Sequence, residues 1–150
     1  MKEPEASVSA IEGGCLCGAV RYRASGAPHN RTACHCEICR RSSAAPYVAW
    51  ATFGAADFAF HAGQPARYSA TPLAVRTFCR TCGTQLTFQA ADAPDEIDVT
   101  ICSMDQPENL APTDQIWTSR RLPWVPLASD LPAHARRRGA KAPTRVRRHD

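Results

Sequence analysis

Cys34-His35-Cys36-Glu37-Ile38-Cys39, followed at once by Arg40-Arg41-Ser42-Ser43, is the stretch around which the chain is organised. Three thiols within six residues read as a metal site. In an extended segment side chains alternate, so Cys34 and Cys36 share one side while His35 points to the other. Cys36 and Cys39 share a face only once a helical turn begins between them. The stretch is therefore expected to be a strand end running into a helix start. There the unpaired N–H groups and the positive end of the helix dipole favour thiolates, and Arg40 and Arg41 add positive charge. Three thiolates leave a tetrahedral zinc one ligand short, and an open position separates catalytic zinc from structural zinc.

Composition sets the frame. A chain of 150 residues with 44% hydrophobic content is expected to form one soluble domain with a real core. The opening Met1-Lys2-Glu3-Pro4-Glu5-Ala6-Ser7 has no apolar run, so neither a signal peptide nor a membrane helix is expected, and the compartment is read as cytoplasmic. In a reducing compartment eight cysteines hold metal more readily than they form disulfides. The net charge of +4 is uneven: residues 136–150 hold seven Lys/Arg against one acid, leaving 11 bases and 13 acids in the body.

Outward from the central stretch the chain alternates short strands and turns. Val8 to Ala24 reads as a strand, a glycine turn at Gly13-Gly14-Cys15-Leu16-Cys17-Gly18 and a second strand from Ala19 to Tyr22. A short helix is expected to end before Pro46. Strands are expected at Tyr47–Phe53, from Phe58, at Arg67–Ser69, Ala74–Phe78, Gln85–Phe88 and Ile97–Ile101. Cys79-Arg80-Thr81-Cys82-Gly83 has the pattern of a zinc knuckle. This spacing predicts an all-β or β-rich fold with one or two short helices. The proline-punctuated segment from Pro107 to Pro132, with Trp117 and Trp124, is expected to wrap over the domain in extended form. Residues 1–10 read as a leader, 11–132 as the zinc-binding domain and 133–150 as a basic, disordered tail.

The pairs Cys15/Cys17 and Cys79/Cys82, each at a glycine-marked turn, are expected, over other pairings, to make a closed four-thiol structural zinc site clamping two halves of the sheet. Two readings then stand for Cys34, Cys36 and Cys39: Cys102 closes a second structural site, or Cys102 is a small buried residue and the second zinc stays open. An iron–sulfur cluster is a third alternative.

Five motifs together resemble the glutathione-dependent formaldehyde-activating enzyme family, also called the GFA or centromere protein V domain family. They are Glu12 to Tyr22, Cys34 to Ser43, Phe78 to Leu86, Met104-Asp105-Gln106-Pro107 and Ser119 to Trp124. The likeness covers roughly residues 11 to 132. It implies zinc-clamped coiled β-sheets (the "beta-tent" fold), two Zn²⁺, a structural zinc on Cys15, Cys17, Cys79 and Cys82, and a catalytic zinc on Cys34, Cys36 and Cys39. It also implies a carbon–sulfur lyase-type activity joining formaldehyde to glutathione, as S-hydroxymethylglutathione. The sequence departs from the family in having Cys102 and Ala44 where glycine is usual, and Gln115 where histidine is frequent.

Zinc held by three thiolates is a poor Lewis acid and suits a fourth, exogenous thiolate better than it suits water. On this reading Arg40, Arg41 or Arg76 would hold a substrate carboxylate and Trp124 would wall the pocket. The rival class is a zinc-stabilised binding module, both sites closed, whose basic tail meets nucleic acid or another acidic surface. No interleaving of basic and aromatic residues points to base reading, and neither a Gly-x-Ser-x-Gly elbow nor a P-loop is present.

Overall fold

The structure is a computed structural model that describes residues 9–139; the proposed leader through residue 8 and the tail from residue 140 lie outside the described residues. Among the described residues ten strands form two sheets: β1 (Ile11–Gly14), β2 (Arg21–Ala24), β3 (Asn30–Cys34), β4 (Val48–Gly54), β5 (Phe58–Ala62), β6 (Ala66–Tyr68), β7 (Ala74–Phe78), β8 (Gln85–Ala90), β9 (Glu96–Thr100) and β10 (Asp114–Ile116). The small sheet has the order β1-β2-β5 and the large one β10-β3-β4-β9-β8-β7-β6. One α-helix, α1 (Glu37–Ser43), joins β3 to β4, and four short 3-10 turns complete the elements of the described residues. The β-rich fold with one short helix is therefore as the alternating strand and turn signals predict.

Register decides what each face of the large sheet carries. Thr52 lies opposite Asp98, Asp98 opposite Phe88, and Phe88 opposite Arg76, so these four share one face. Ala51 and Val99, also paired, point to the other. That second face packs on the small sheet: Tyr22 and Ala24 of β2 meet Ala51, Phe53, Leu86 and Val99 in the main core, with Phe58 and Phe60 of β5 against them. Tyr22 is fully buried, and its hydroxyl is satisfied by Ser103 at 2.7 Å. Truncating Phe53, buried at this interface, to alanine would cost about 3–5 kcal/mol.

The opposite face carries a smaller cluster of Cys34, Cys39, Val48 and Trp50, with Phe88, Ile116 and Trp117 packed against it. The central cysteine stretch thus sits on the outer face of the large sheet, away from the main core.

Two expectations change. The proline-punctuated segment contains β10, which pairs in parallel with β3 through Gln115 opposite Ala33 and Ile116 opposite Cys34. The expected disordered tail is corrected for residues 133–139, which run along β10. The N–H of His134 donates to the Gln115 carbonyl at 2.8 Å and that of Trp117 to the Arg136 carbonyl at 3.0 Å. Arg138 forms an ion pair with Asp114, and the Arg136 guanidinium lies 5.7 Å from the centre of the Trp117 ring. Composition concealed this, because a short strap needs backbone partners and one ion pair rather than an apolar face.

Candidate metal centres

The first centre is built by two turns. Between β1 and β2 the chain reverses through Cys15-Leu16-Cys17-Gly18, with the Gly18 N–H on the Cys15 carbonyl at 3.1 Å and the Val20 N–H on Cys15 Sγ at 3.2 Å. Between β7 and β8, Gly83 adopts φ +79° and its N–H returns to the Cys79 carbonyl at 2.8 Å. A residue with a Cβ is strained at that φ, which is why a knuckle ends in glycine. The Leu16 N–H donates to Thr84 Oγ1 at 3.1 Å and ties the two turns together.

The sulfurs of Cys15, Cys17, Cys79 and Cys82 consequently lie within 4.8 Å of one another. Cys15 and Cys17 are 3.5 Å apart and Cys17 and Cys79 are 3.8 Å apart. A zinc tetrahedron with Zn–S of about 2.3 Å has an edge of about 3.8 Å, so the set fits that ion. Hydrogen bonding from the Thr84 hydroxyl and backbone lowers the Cys82 thiol to about 5, the thiolate form a metal requires.

The second centre follows from the strand-to-helix junction. Cys34 closes β3, Cys36 is the N-cap of α1 and accepts the Cys39 N–H at 3.3 Å, and Cys39 is buried within the helix. A sulfur at the N-cap takes the position usually filled by a hydroxyl or carboxylate, so the same bond that starts the helix supports a thiolate. These three sulfurs also lie within 4.8 Å of one another. The Cys34 and Cys39 side chains hydrogen-bond Cys36 and hold its thiol far below the usual range; the same sharing, with burial, pushes Cys34 up. One negative charge is thus easily carried and further charge needs a cation. The donor set fits zinc with three protein ligands.

His35 stands between two of these cysteines but is not part of the group. It is 1% exposed, its ring lies 5.1 Å from that of Tyr47, and burial, with the nearby Arg121 charge, lowers its pKa. Cys102 belongs to neither group. It is exposed on the 3-10 turn Ile101–Ser103 and lines a cleft of about 380 Å³ with Ser42, Tyr47, Cys82 and Gln85. The expectation of Cys102 as a small buried residue is corrected: the turn that ends β9 directs it outward.

Of the four side chains read as substrate contacts, Arg76 meets the second centre: its Nη2 lies 3.9 Å from Cys39 Sγ and its guanidinium 4.7 Å from the centre of the Phe88 ring. Arg41 pairs instead with Glu37 at 3.0 Å in solvent. Arg40 Nε is buried without a partner among the described residues, and Trp124 is 70% exposed. The sequence reading missed Trp50 and Phe88, which stand 6.3 Å apart and floor the centre. Their alternation with inward residues marked them as strand positions, but which face met the thiols depended on register.

Fold and sites together define a small β-rich protein with two cysteine groups able to hold metal ions. The chain belongs to the glutathione-dependent formaldehyde-activating enzyme family, whose sequence profile matches residues 10–120. It is 32% identical over 77 residues to an uncharacterized lyase of Schizosaccharomyces pombe, an alignment spanning 51% of this chain and 56% of that protein. A solved structure of a Rhodobacter sphaeroides protein is similar with a TM-score of 0.58 and 26% identity, over 69% of this chain and 98% of the other.

Proposed function

We propose that the protein is a carbon–sulfur lyase-type enzyme acting on adducts of a small thiol with an aldehyde, such as S-hydroxymethylglutathione. The observation that carries this reading is the three-thiol group of Cys34, Cys36 and Cys39 with Arg76 at its edge and Cys102 outside it. Zinc bound there would supply a fourth position for an exogenous thiolate, whereas Cys15, Cys17, Cys79 and Cys82 would hold a structural ion. The exposed position of Cys102 favours this open site over the closed-site binding module.

Within the chain, the N–H of Cys39 supports the Cys36 thiolate and the Ser42 and Ser43 hydroxyls secure the helix by donating to the Cys39 carbonyl at 3.1 and 2.7 Å. Trp50 and Phe88 keep the floor apolar, which strengthens electrostatic contacts above it. Among the described residues no side-chain hydrogen bond joins Arg40, Arg41 or Trp124 to a sulfur of the group, and the proposal assigns them no role. The compartment proposed for the protein is a reducing one such as the cytoplasm, where eight cysteines hold metal more readily than they form disulfides.

The test is exchange spectroscopy of formaldehyde, glutathione and their adduct with the zinc-loaded protein. Acceleration over the uncatalysed rate, abolished by Cys39→Ser with the fold retained, is the expected result. No acceleration with any small thiol would exclude the lyase reading.

A further inference from the structure

We propose that Arg76 receives the oxygen of the thiol–aldehyde adduct and stabilises it as the alkoxide while the carbon–sulfur bond forms or breaks. The inference rests on the thiol-adduct reading above and assigns Arg76 a different task from the carboxylate clamp read from the sequence.

Three observations carry it. The Arg76 guanidinium is fixed before any ligand arrives, stacked over Phe88 at 4.7 Å, its neighbour directly across β7 and β8. One arm, Nη2, points at Cys39 Sγ at 3.9 Å. The other, Nη1, is buried with no hydrogen-bond partner among the described residues. A buried charged donor left unpaired costs more than a made hydrogen bond returns, so it marks a place where an acceptor belongs. Thr32 Oγ1, both His35 ring nitrogens, Arg40 Nε, Gln85 Nε2 and Arg121 Nε are also buried without a partner among the described residues, but there none of those side chains makes a hydrogen bond to a sulfur of the group.

Connectivity then selects the acceptor. In an S-hydroxymethyl adduct the oxygen is two bonds from the sulfur, so it arrives wherever the sulfur arrives. The carboxylates of a glutathione-type thiol lie many bonds away, at the ends of the peptide, and would also face the negative charge of the cysteine thiolates. A donor whose sister nitrogen already touches a cluster sulfur is therefore matched to the adduct oxygen. In the forming direction the thiolate pair makes the C–S bond, the carbonyl π pair moves to oxygen beside Nη1, and the alkoxide takes a proton from water. In the cleaving direction the hydroxyl proton returns to water, the oxygen pair re-forms C=O, and the C–S pair leaves on sulfur. Preorganised donors of this kind act only on charge that develops during reaction.

The experiment compares zinc-loaded wild type, Arg76→Met and Arg76→Lys in formaldehyde exchange with two thiols, glutathione and 2-mercaptoethanol, the second having no carboxylate. For Arg76→Met, kcat is expected to fall about 100-fold with both thiols. Zinc content and the calorimetric Kd for glutathione alone should stay as in wild type. A rise in KM confined to glutathione would overturn the proposal in favour of a carboxylate clamp. Loss of zinc in both variants would overturn it in favour of a structural role. If the methionine variant does not fold, the lysine variant carries the same comparison, since an ammonium keeps the charge but not the fork. An inactive wild type would remove the lyase reading and this inference together, whereas an active wild type indifferent to Arg76 removes this inference alone.

Discussion

The N–H of Ala44 returns to the carbonyl of Arg40 and closes α1 with Ala44 in the left-handed conformation, φ 51° and ψ 41°. A Cβ is disfavoured there, and glycine is the residue that ends helices in this way. The chain accepts the strain because α1 must stop one turn after Cys39. Replacing Ala44 with glycine should stabilise the protein by about 1 kcal/mol, a rise in Tm of about 3 °C by calorimetry. The gain is less than the full left-handed cost because glycine also loses more chain entropy on folding.

The two cysteine groups should respond differently to loss of a thiol. On the proposed assignment Cys82→Ser removes one of four thiols that tie two distant turns and is expected to abolish the folded state, since a structural zinc there would contribute about 10–16 kcal/mol against a domain stability of about 5–15 kcal/mol. Cys39→Ser should lower the zinc content from two ions per chain to one with the β circular-dichroism signature retained. Cys102→Ser should leave both ions in place. Atomic emission analysis of the three purified variants reads all these outcomes.

The strap along β10 should loosen in acid. Burial works to raise the Asp114 carboxyl, but the Arg138 guanidinium, with His134 on the same carboxylate at 3.5 Å, outweighs it and holds the pKa below the usual value. A carboxylate depressed in the folded state contributes stability that is present above its unfolded pKa of about 3.9 and lost as pH falls through the folded value. Amide exchange at His134 and Trp117, whose N–H groups join the strap to the Gln115 carbonyl and to Trp117, should therefore quicken below about pH 4. Asp114→Asn should produce the same loosening at neutral pH, at a cost of about 1–2 kcal/mol, discounted because the Arg138 side chain keeps 36% exposure.

Asp98 should behave in the opposite sense. Burial raises its pKa against the lowering effect of the Thr52 hydroxyl, which donates to it at 2.5 Å. For a carboxyl raised on folding, stability is fully present below the unfolded pKa and declines as pH rises through the folded one. Asp98→Asn should therefore flatten the decline in stability above about pH 4, measured as the urea midpoint against pH. An unchanged pH slope in the variant would show that Asp98 ionises without cost.

The sequence alone determined the local parts of this protein. The strand-to-helix junction at Cys34–Cys39, the knuckle at Cys79–Gly83 and the pairing of that knuckle with Cys15 and Cys17 were all legible, because turn chemistry is written in adjacent residues and a metal accepts few donor spacings. Tertiary structure alone decided the rest. That Arg76 reaches Cys39, that Trp50 and Phe88 floor the three-thiol group, and that Cys102 turns outward depend on the register of β4, β7, β8 and β9. Slipping β4, β7 or β8 by a single residue would send Trp50, Arg76 or Phe88 in turn to the other face, and no local signal encodes that choice. The strap at residues 133–139 was equally hidden, since its partners are backbone groups and one carboxylate of a three-residue strand that composition does not mark.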